Sequence, residues 1–136
     1  IAAEAAIEVL SEYPAKRRIA VLGDMKELGE FSRSEHERIG ETLRAKNVWF
    51  LFTVGQEAKF IAEGARRSGF DDFKIFEFSD AVEAGEAVKN IIQEGDLILV
   101  KGSQSARMEK AVEKIMAHPE NKETLLVRQE AEWKNR

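Results

Sequence analysis

The sequence predicts a three-layer α/β domain, a mostly parallel sheet with helices on both faces. Three observations carry that reading. Short apolar runs alternate with helical stretches of roughly 10 to 15 residues, the pattern of strand–helix–strand units. Runs such as Ile19-Ala20-Val21-Leu22 and Leu97-Ile98-Leu99-Val100 are continuously apolar, as expected where both faces of a strand are buried. Several of the runs stop at glycine, at Gly23, Gly55 and Gly102, which marks a turn back into a helix.

The elements follow in order. The chain opens on Ile1 inside a helical pattern, with Ala2, Ala3, Ala5, Ala6, Ile7, Val9 and Leu10 on it. No capping residue precedes that helix, so a piece of a longer polypeptide is expected. Tyr13-Pro14 stops it, because proline disfavours a helical residue before it. Arg18 to Leu22 reads as the first strand, ended by Gly23-Asp24. Ser32 or Ser34 is expected to cap the next helix, and Ser32-Arg33-Ser34-Glu35 has the spacing of a capping box. That helix should run to about Ala45. Val48 to Val54, rich in aromatic and β-branched residues, is the second strand. A helix from about Gln56 to Ser68 should end at Gly69. Lys74 to Phe78 reads as a strand, and Ser79 or Asp80 caps a helix reaching about Gln93. Asp96 to Val100 is the fourth strand. A helix from about Ser105 to Met116 is stopped by His118-Pro119, and Thr124 to Val127 is a final strand before a polar tail containing Trp133. The layout is Rossmann-like.

At 136 residues a single domain, 1–136, is expected, long enough to bury a core. Hydrophobic residues make up 43% and charged residues 34%, the balance of an ordinary globular protein. The absence of cysteine excludes disulfides, thiol nucleophiles and thiolate metal sites. His36 and His118 are too far apart for metal-ligand spacing, so no metal site is expected. No apolar run approaches the roughly 20 residues that cross a bilayer. No secretory leader is visible, so a cytoplasmic location is expected. A formal net charge of −4 argues against nucleic-acid binding. Lys16-Arg17-Arg18 and Arg66-Arg67 read as solvated edges.

In open parallel sheets ligands gather at the carboxyl ends of the strands. The loop after the first strand, Gly23-Asp24-Met25-Lys26-Glu27-Leu28-Gly29-Glu30, is neither GxGxxG nor a phosphate loop, and no GK[ST] occurs anywhere. Asp24 could meet a ribose hydroxyl, a metal or an ammonium group, or Asp24 and Glu27 could simply satisfy donors in the turn. Gly29 is expected at positive φ. The second candidate is Lys101-Gly102-Ser103-Gln104-Ser105-Ala106-Arg107. Here a helix start favours an anion, Lys101 and Arg107 add charge, and a serine is expected to cap. His36 reads as a surface or half-buried residue. Trp49, Phe50 and Phe52 read as sheet packing, or as part of an interface with a missing domain; Trp133 reads as a packing anchor.

Together, LGDMKELGEFSRSEH and GDLILVKGSQSARMEKAV resemble the carboxy-terminal domain of the Mur ligases, over nearly the whole chain. Within that family the resemblance is to the branch that adds D-alanyl-D-alanine to a UDP-linked muramoyl tripeptide. The resemblance implies a cytoplasmic three-domain enzyme of peptidoglycan synthesis. In it ATP, with magnesium, phosphorylates the peptide's carboxylate, and the dipeptide amine then attacks. The family's central domain holds ATP, the metal and most catalytic residues, so no catalytic residue is expected here. The amino-terminal and central domains of the same polypeptide are the implied partners. By the resemblance, Asp24, Glu27, Gly29 and His36 lie at the nucleotide and the domain interface. Lys101, Gly102 and Ser103 lie near the incoming dipeptide, with Arg107 matching less firmly. Such a domain would close over the site and exclude water, and it would be inactive alone. Two other classes fit the layout: a phosphoacceptor receiver-like domain, which would need clustered acids after the first strand, and a stand-alone Rossmann-like binding module.

Overall fold

A computed structural model of the chain describes residues 3–25, 31–116 and 124–127. The elements run α1 (Ala3–Glu12), β1 (Arg17–Gly23), α2 (Ser32–Thr42), β2 (Val48–Val54), α3 (Lys59–Arg67), β3 (Ile75–Phe78), α4 (Ala81–Ile91), β4 (Asp96–Lys101), α5 (Met108–Ile115) and β5 (Thr124–Val127). The five strands form one sheet in the order β3-β2-β1-β4-β5, and every pairing is parallel. That order matches the first five strands of the dinucleotide-binding fold, whereas receiver domains run 2-1-3-4-5. The receiver-like reading is therefore overturned. The order reverses between β1 and β4, so the topological switch point lies at Gly23-Asp24 and Lys101-Gly102-Ser103.

Alternation along the strands sorts the core into two layers. Ala20, Leu22, Leu51, Leu97 and Leu99 face one side, under Ile7 and Leu10 of α1, Ile39 of α2 and Ile61 and Ala65 of α3. Ile19, Val21, Phe52, Ile98 and Val100 face the other, under Ala84 and Val88 of α4 and Met108 and Ala111 of α5. On that second face Phe50 and Phe52 join Phe76 and Phe78, with Phe52 stacked on Phe76 at 4.9 Å between centroids. These two aromatics are sheet packing, as expected. Trp49 is not: it is 45% exposed, with Lys74 Nζ 3.5 Å from its ring centroid.

Two glycines set the distance between α2 and α3. A Cβ on Gly40 would strike the carbonyl of Ile61, and one on Gly64 would strike that of Glu37. The helix directions are pinned at β1's start. Arg18 donates to the carbonyls of Leu10 (3.0 Å) and Tyr13 (2.6 Å), which places the end of α1 at the amino edge of the sheet. The Ala3 end of α1 consequently points to the carboxyl edge, where Glu4 pairs with Arg38 of α2.

Several boundaries differ from the sequence pattern. No serine capping box forms at α2: the N-cap is Phe31, with no side-chain hydrogen bond. The helix ends at Thr42, ahead of Ala45, and α3 starts at Lys59 because 56–58 form turns. Asp80 caps α4 as expected, accepting from Val82 N–H (2.6 Å) and Glu83 N–H (3.4 Å). Gly69 closes α3 at φ 99°, as the pattern predicts. Arg17 is not a solvated edge residue; it donates through Nε and Nη2 to both oxygens of buried Asp96 (2.8 and 2.6 Å). Arg66 and Arg67 are exposed, and pair with Asp72, Glu77 and Glu41. Glu27, Gly29, His118, Pro119 and Trp133 lie outside the described residues.

Candidate functional site at the carboxyl edge of the sheet

The strand ends are stitched together one residue beyond the sheet. Gly55 N–H donates to Phe78 O (2.9 Å), Asp24 N–H to Val54 O (3.2 Å), and Ser103 N–H to Asp24 O (2.8 Å). The two loops singled out in the sequence, far apart along the chain, thus meet backbone to backbone at the switch point. Glycine is needed for this closeness. A Cβ on Gly23 would lie 2.8 Å from Met108 Sδ and 2.9 Å from Ala106 Cβ, and one on Gly102 would lie 2.7 Å from Met108 Cγ. Met108 and Ala106 therefore fill the crevice at the switch point.

Asp24 is 8% exposed, and its Oδ1 accepts from Ala58 N–H at the start of α3 (2.7 Å). The carboxylate satisfies a backbone donor in the distant β2–α3 turn, whereas the structural reading of the sequence placed its donors in its own turn. Gly55, at φ 111°, lies under that carboxylate, and a Cβ there would fall onto it.

His36 departs from expectation. It is fully buried, and its ring ties Met25, just past β1, to the first turn of α2. Met25 N–H donates to Nε2 (3.0 Å), so Nε2 carries no proton, and Nδ1–H donates to the carbonyl of Ser32 (2.6 Å). The Ser32 hydroxyl, freed from capping, donates to Glu57 Oε1 (2.8 Å). Sequence reasoning missed Ser32 and Glu57 as partners of this network. Glu57 stands two residues past Gly55, in a strand-end loop where only the glycine drew notice.

The second loop also differs. The serines do not cap α5. A 3-10 turn at Gln104–Ala106 comes first, Ser103 and Ser105 share a hydrogen bond between their hydroxyls (3.1 Å), and the N-cap position is held by Arg107. Arg107 is exposed, with φ 57° and ψ 42°, a left-handed conformation that costs a non-glycine residue roughly 1–2 kcal/mol. Lys101 is buried (1% exposed) and engaged in contacts of its own, so it adds no free surface charge. Ser103 is 6% exposed. Among the described residues no three His, Asp or Glu side chains gather to hold a metal.

The family described as Mur ligase, glutamate ligase domain, matches residues 1–104. The chain belongs to the Mur ligase family. Among curated relatives, the UDP-N-acetylmuramoyl-tripeptide–D-alanyl-D-alanine ligase of Synechocystis is 34% identical over 113 residues, covering 83% of this chain and 24% of that protein. The ligase of the same name from Escherichia coli is 36% identical over 110 residues, covering 79% and 23%. Among solved structures, MurF ligase from Thermotoga maritima in complex with ADP superposes at TM-score 0.68 with 29% identity, covering 88% of this chain and 27% of that one. MurF from Acinetobacter baumannii gives 0.70 and 31%, covering 82% and 24%. The chain spans about a quarter of the length of these Mur ligases. Among the described residues no helix is long and apolar enough to cross a membrane.

Proposed function

We propose that this chain is the carboxy-terminal domain of a cytoplasmic, ATP-dependent Mur ligase that joins D-alanyl-D-alanine to a UDP-muramoyl tripeptide. The observation that carries the reading is the hydrogen bond from Ser103 N–H to Asp24 O, which makes one surface of the two family-bearing loops. ATP, when bound by a central domain, supplies the phosphoryl group that activates the peptide's carboxylate. The residues here do not fit a complete nucleotide or magnesium site. They fit one wall of such a site: no phosphate loop is present in the sequence, and the switch-point crevice is filled by Met108.

On this reading the β1–α2 loop, held by His36 and Asp24, meets the nucleotide and the neighbouring domain, with Glu27 and Gly29 between them in sequence. The Lys101–Arg107 loop meets the dipeptide. Arg107 is its exposed cation, held in a strained conformation at the site and suited to the dipeptide carboxylate. Lys101, Gly102 and Ser103 act by positioning that loop.

The test is substitution. The chain by itself should release no ADP from ATP when given muramoyl tripeptide and D-alanyl-D-alanine. Exchanged for the corresponding quarter of the Escherichia coli ligase, it should support dipeptide-dependent ADP release. Turnover by the chain alone, or a folded chimera that binds ATP but never uses the dipeptide, would refute the proposal.

A further inference from the structure

A cavity of about 720 Å³ opens at the opposite, amino edge of the sheet, remote from the strand ends that carry the family's loops. Its wall includes Lys16, Arg17, Arg18 and Arg44, against one carboxylate, Glu41, with Trp49 at its side. A chain of net charge −4 thus gathers four cations in one place.

The partners of these groups decide what remains available. Arg17 is neutralised by Asp96, and Glu41 is taken by Arg67 at 2.8 Å. Arg18 is held by two carbonyls and, among the described residues, by no carboxylate, so its charge is positioned without being cancelled by them. The side chains of Lys16 and Arg44 make no hydrogen bond or ion pair among the described residues. They lie along glycine surfaces: Lys16 Cδ would stand 2.8 Å from a Cβ on Gly95, and Arg44 Nη1 3.2 Å from one on Gly69.

The competing explanation is that basic residues collect at helix C-termini, which carry roughly half a negative charge each. It accounts for Arg18, which caps α1. It does not account for Lys16 and Arg44, whose side chains donate to no carbonyl among the described residues. Three full charges also exceed the partial charges of the three helices, α1, α2 and α3, that end at this edge.

We propose that this cavity is an anion site for a phosphorylated small molecule, bound by Lys16, Arg18 and Arg44 beside the Trp49 indole. Its volume is within the range of roughly 300–1,000 Å³ common for small-molecule sites. The ligand chemistry is two or more phosphate oxygens. Trp49 is 45% exposed even with Lys74 Nζ against its ring, and that remaining surface is offered to whatever the phosphate is attached to. This site is independent of the function proposed above and stands or falls without it.

The test uses the full chain with Trp133→Phe, so that Trp49 is the sole tryptophan, excited selectively over Tyr13. Pyrophosphate, AMP and adenosine are titrated separately at low salt. Saturable quenching by pyrophosphate and AMP, but not by adenosine, is expected, with the signal falling as salt screens the exposed cations. Tighter binding of AMP than of pyrophosphate would assign the indole to a base or sugar, and the reverse would assign the site to phosphate alone. Lys16→Glu with Arg44→Glu should weaken binding at least about tenfold with unchanged circular dichroism, a loss of roughly 1.4 kcal/mol. Arg107→Ala, at the other edge, should leave it unchanged. No saturable response in the parent chain, or a response lost in Arg107→Ala and kept in the double variant, overturns the proposal. If the double variant does not fold, Lys16→Gln with Arg44→Gln is read in its place, with the same two outcomes.

Discussion

At the scale of single residues the carboxyl edge is governed by a few atoms in close contact. Gly55 combines a positive φ with the Asp24 carboxylate directly over it. Gly55→Ala should therefore destabilise the chain by roughly 2–4 kcal/mol in urea unfolding, from backbone strain and overpacking together. A loss below about 0.5 kcal/mol would show that the stitched edge relaxes freely. Arg107 makes the opposite prediction. If its left-handed conformation serves ligand contact, Arg107→Gly removes strain and should stabilise the fold by about 1 kcal/mol. In the chimeric ligase the same change should raise the KM for D-alanyl-D-alanine. Destabilisation by Arg107→Gly would mean that the side chain has a structural duty instead. His36 shows how a residue is misread at this scale. Its neighbours Glu35 and Glu37 suggest a surface, yet 36, 39, 40 and 43 fall on one helical stripe with buried Ile39 and Leu43. That spacing was the signal for burial, and it outweighs the polarity of the flanking residues.

At the scale of elements, the α2–α3 pair offers a test in which two known effects oppose one another. In an isolated helix, alanine in place of glycine stabilises by about 1 kcal/mol. Here a Cβ at Gly40 or Gly64 meets backbone carbonyls of the facing helix, which cannot rotate away as a side chain would. Packing should win. Gly40→Ala is expected to lose about 2 kcal/mol of stability, measured by chemical denaturation; a gain would mean that the helices part without cost. Element identity was largely legible, because strand runs and helix stripes have different periods. Helix starts were less so. Ser32, Ser103 and Ser105 all have the chemistry of caps, but their hydroxyls are claimed by Glu57 and by each other. Capping is a local preference of about 1 kcal/mol, small enough for tertiary partners to override. At Asp80, where no such partner competes, the sequence pattern held.

At the scale of the whole molecule, the two edges of the sheet are held differently. The carboxyl edge is tied by backbone hydrogen bonds between loops, the amino edge by an ion pair between β1 and β4 beside the backbone hydrogen bond from Lys16 N–H to Gly95 O. Arg17 on β1 and Asp96 on β4 face each other in register, and Asp96 is 1% exposed. Arg17→Ala leaves that carboxylate with Gln93 N–H as its remaining hydrogen bond from the described residues (2.8 Å), and should cost about 3 kcal/mol. The hydrogen bond to Asp96 raises the Arg17 pKa above its ordinary value. The sign follows directly: this stabilisation is complete below the ordinary arginine range and is lost only as pH rises through the raised value. The difference between parent and Arg17→Ala should thus not narrow between pH 6 and pH 9, as measured by urea titration; a fall across that window would contradict the assignment.

The sequence by itself determined the fold class, the order and kind of the elements, the strand-end loops and the family to which they belong. These follow from hydrophobic period, turn residues and local motifs, which act over a few neighbouring positions. Only the tertiary structure decided the strand order, and with it the rejection of a receiver layout. It also brought Asp24 to Ser103, buried His36 and Lys101, moved the start of α5 to Met108, and assembled the basic cavity at the far edge. Each of these depends on groups distant in the chain meeting in space. Loop closure and competition for hydrogen-bond partners settle such meetings, and local preference carries no record of either.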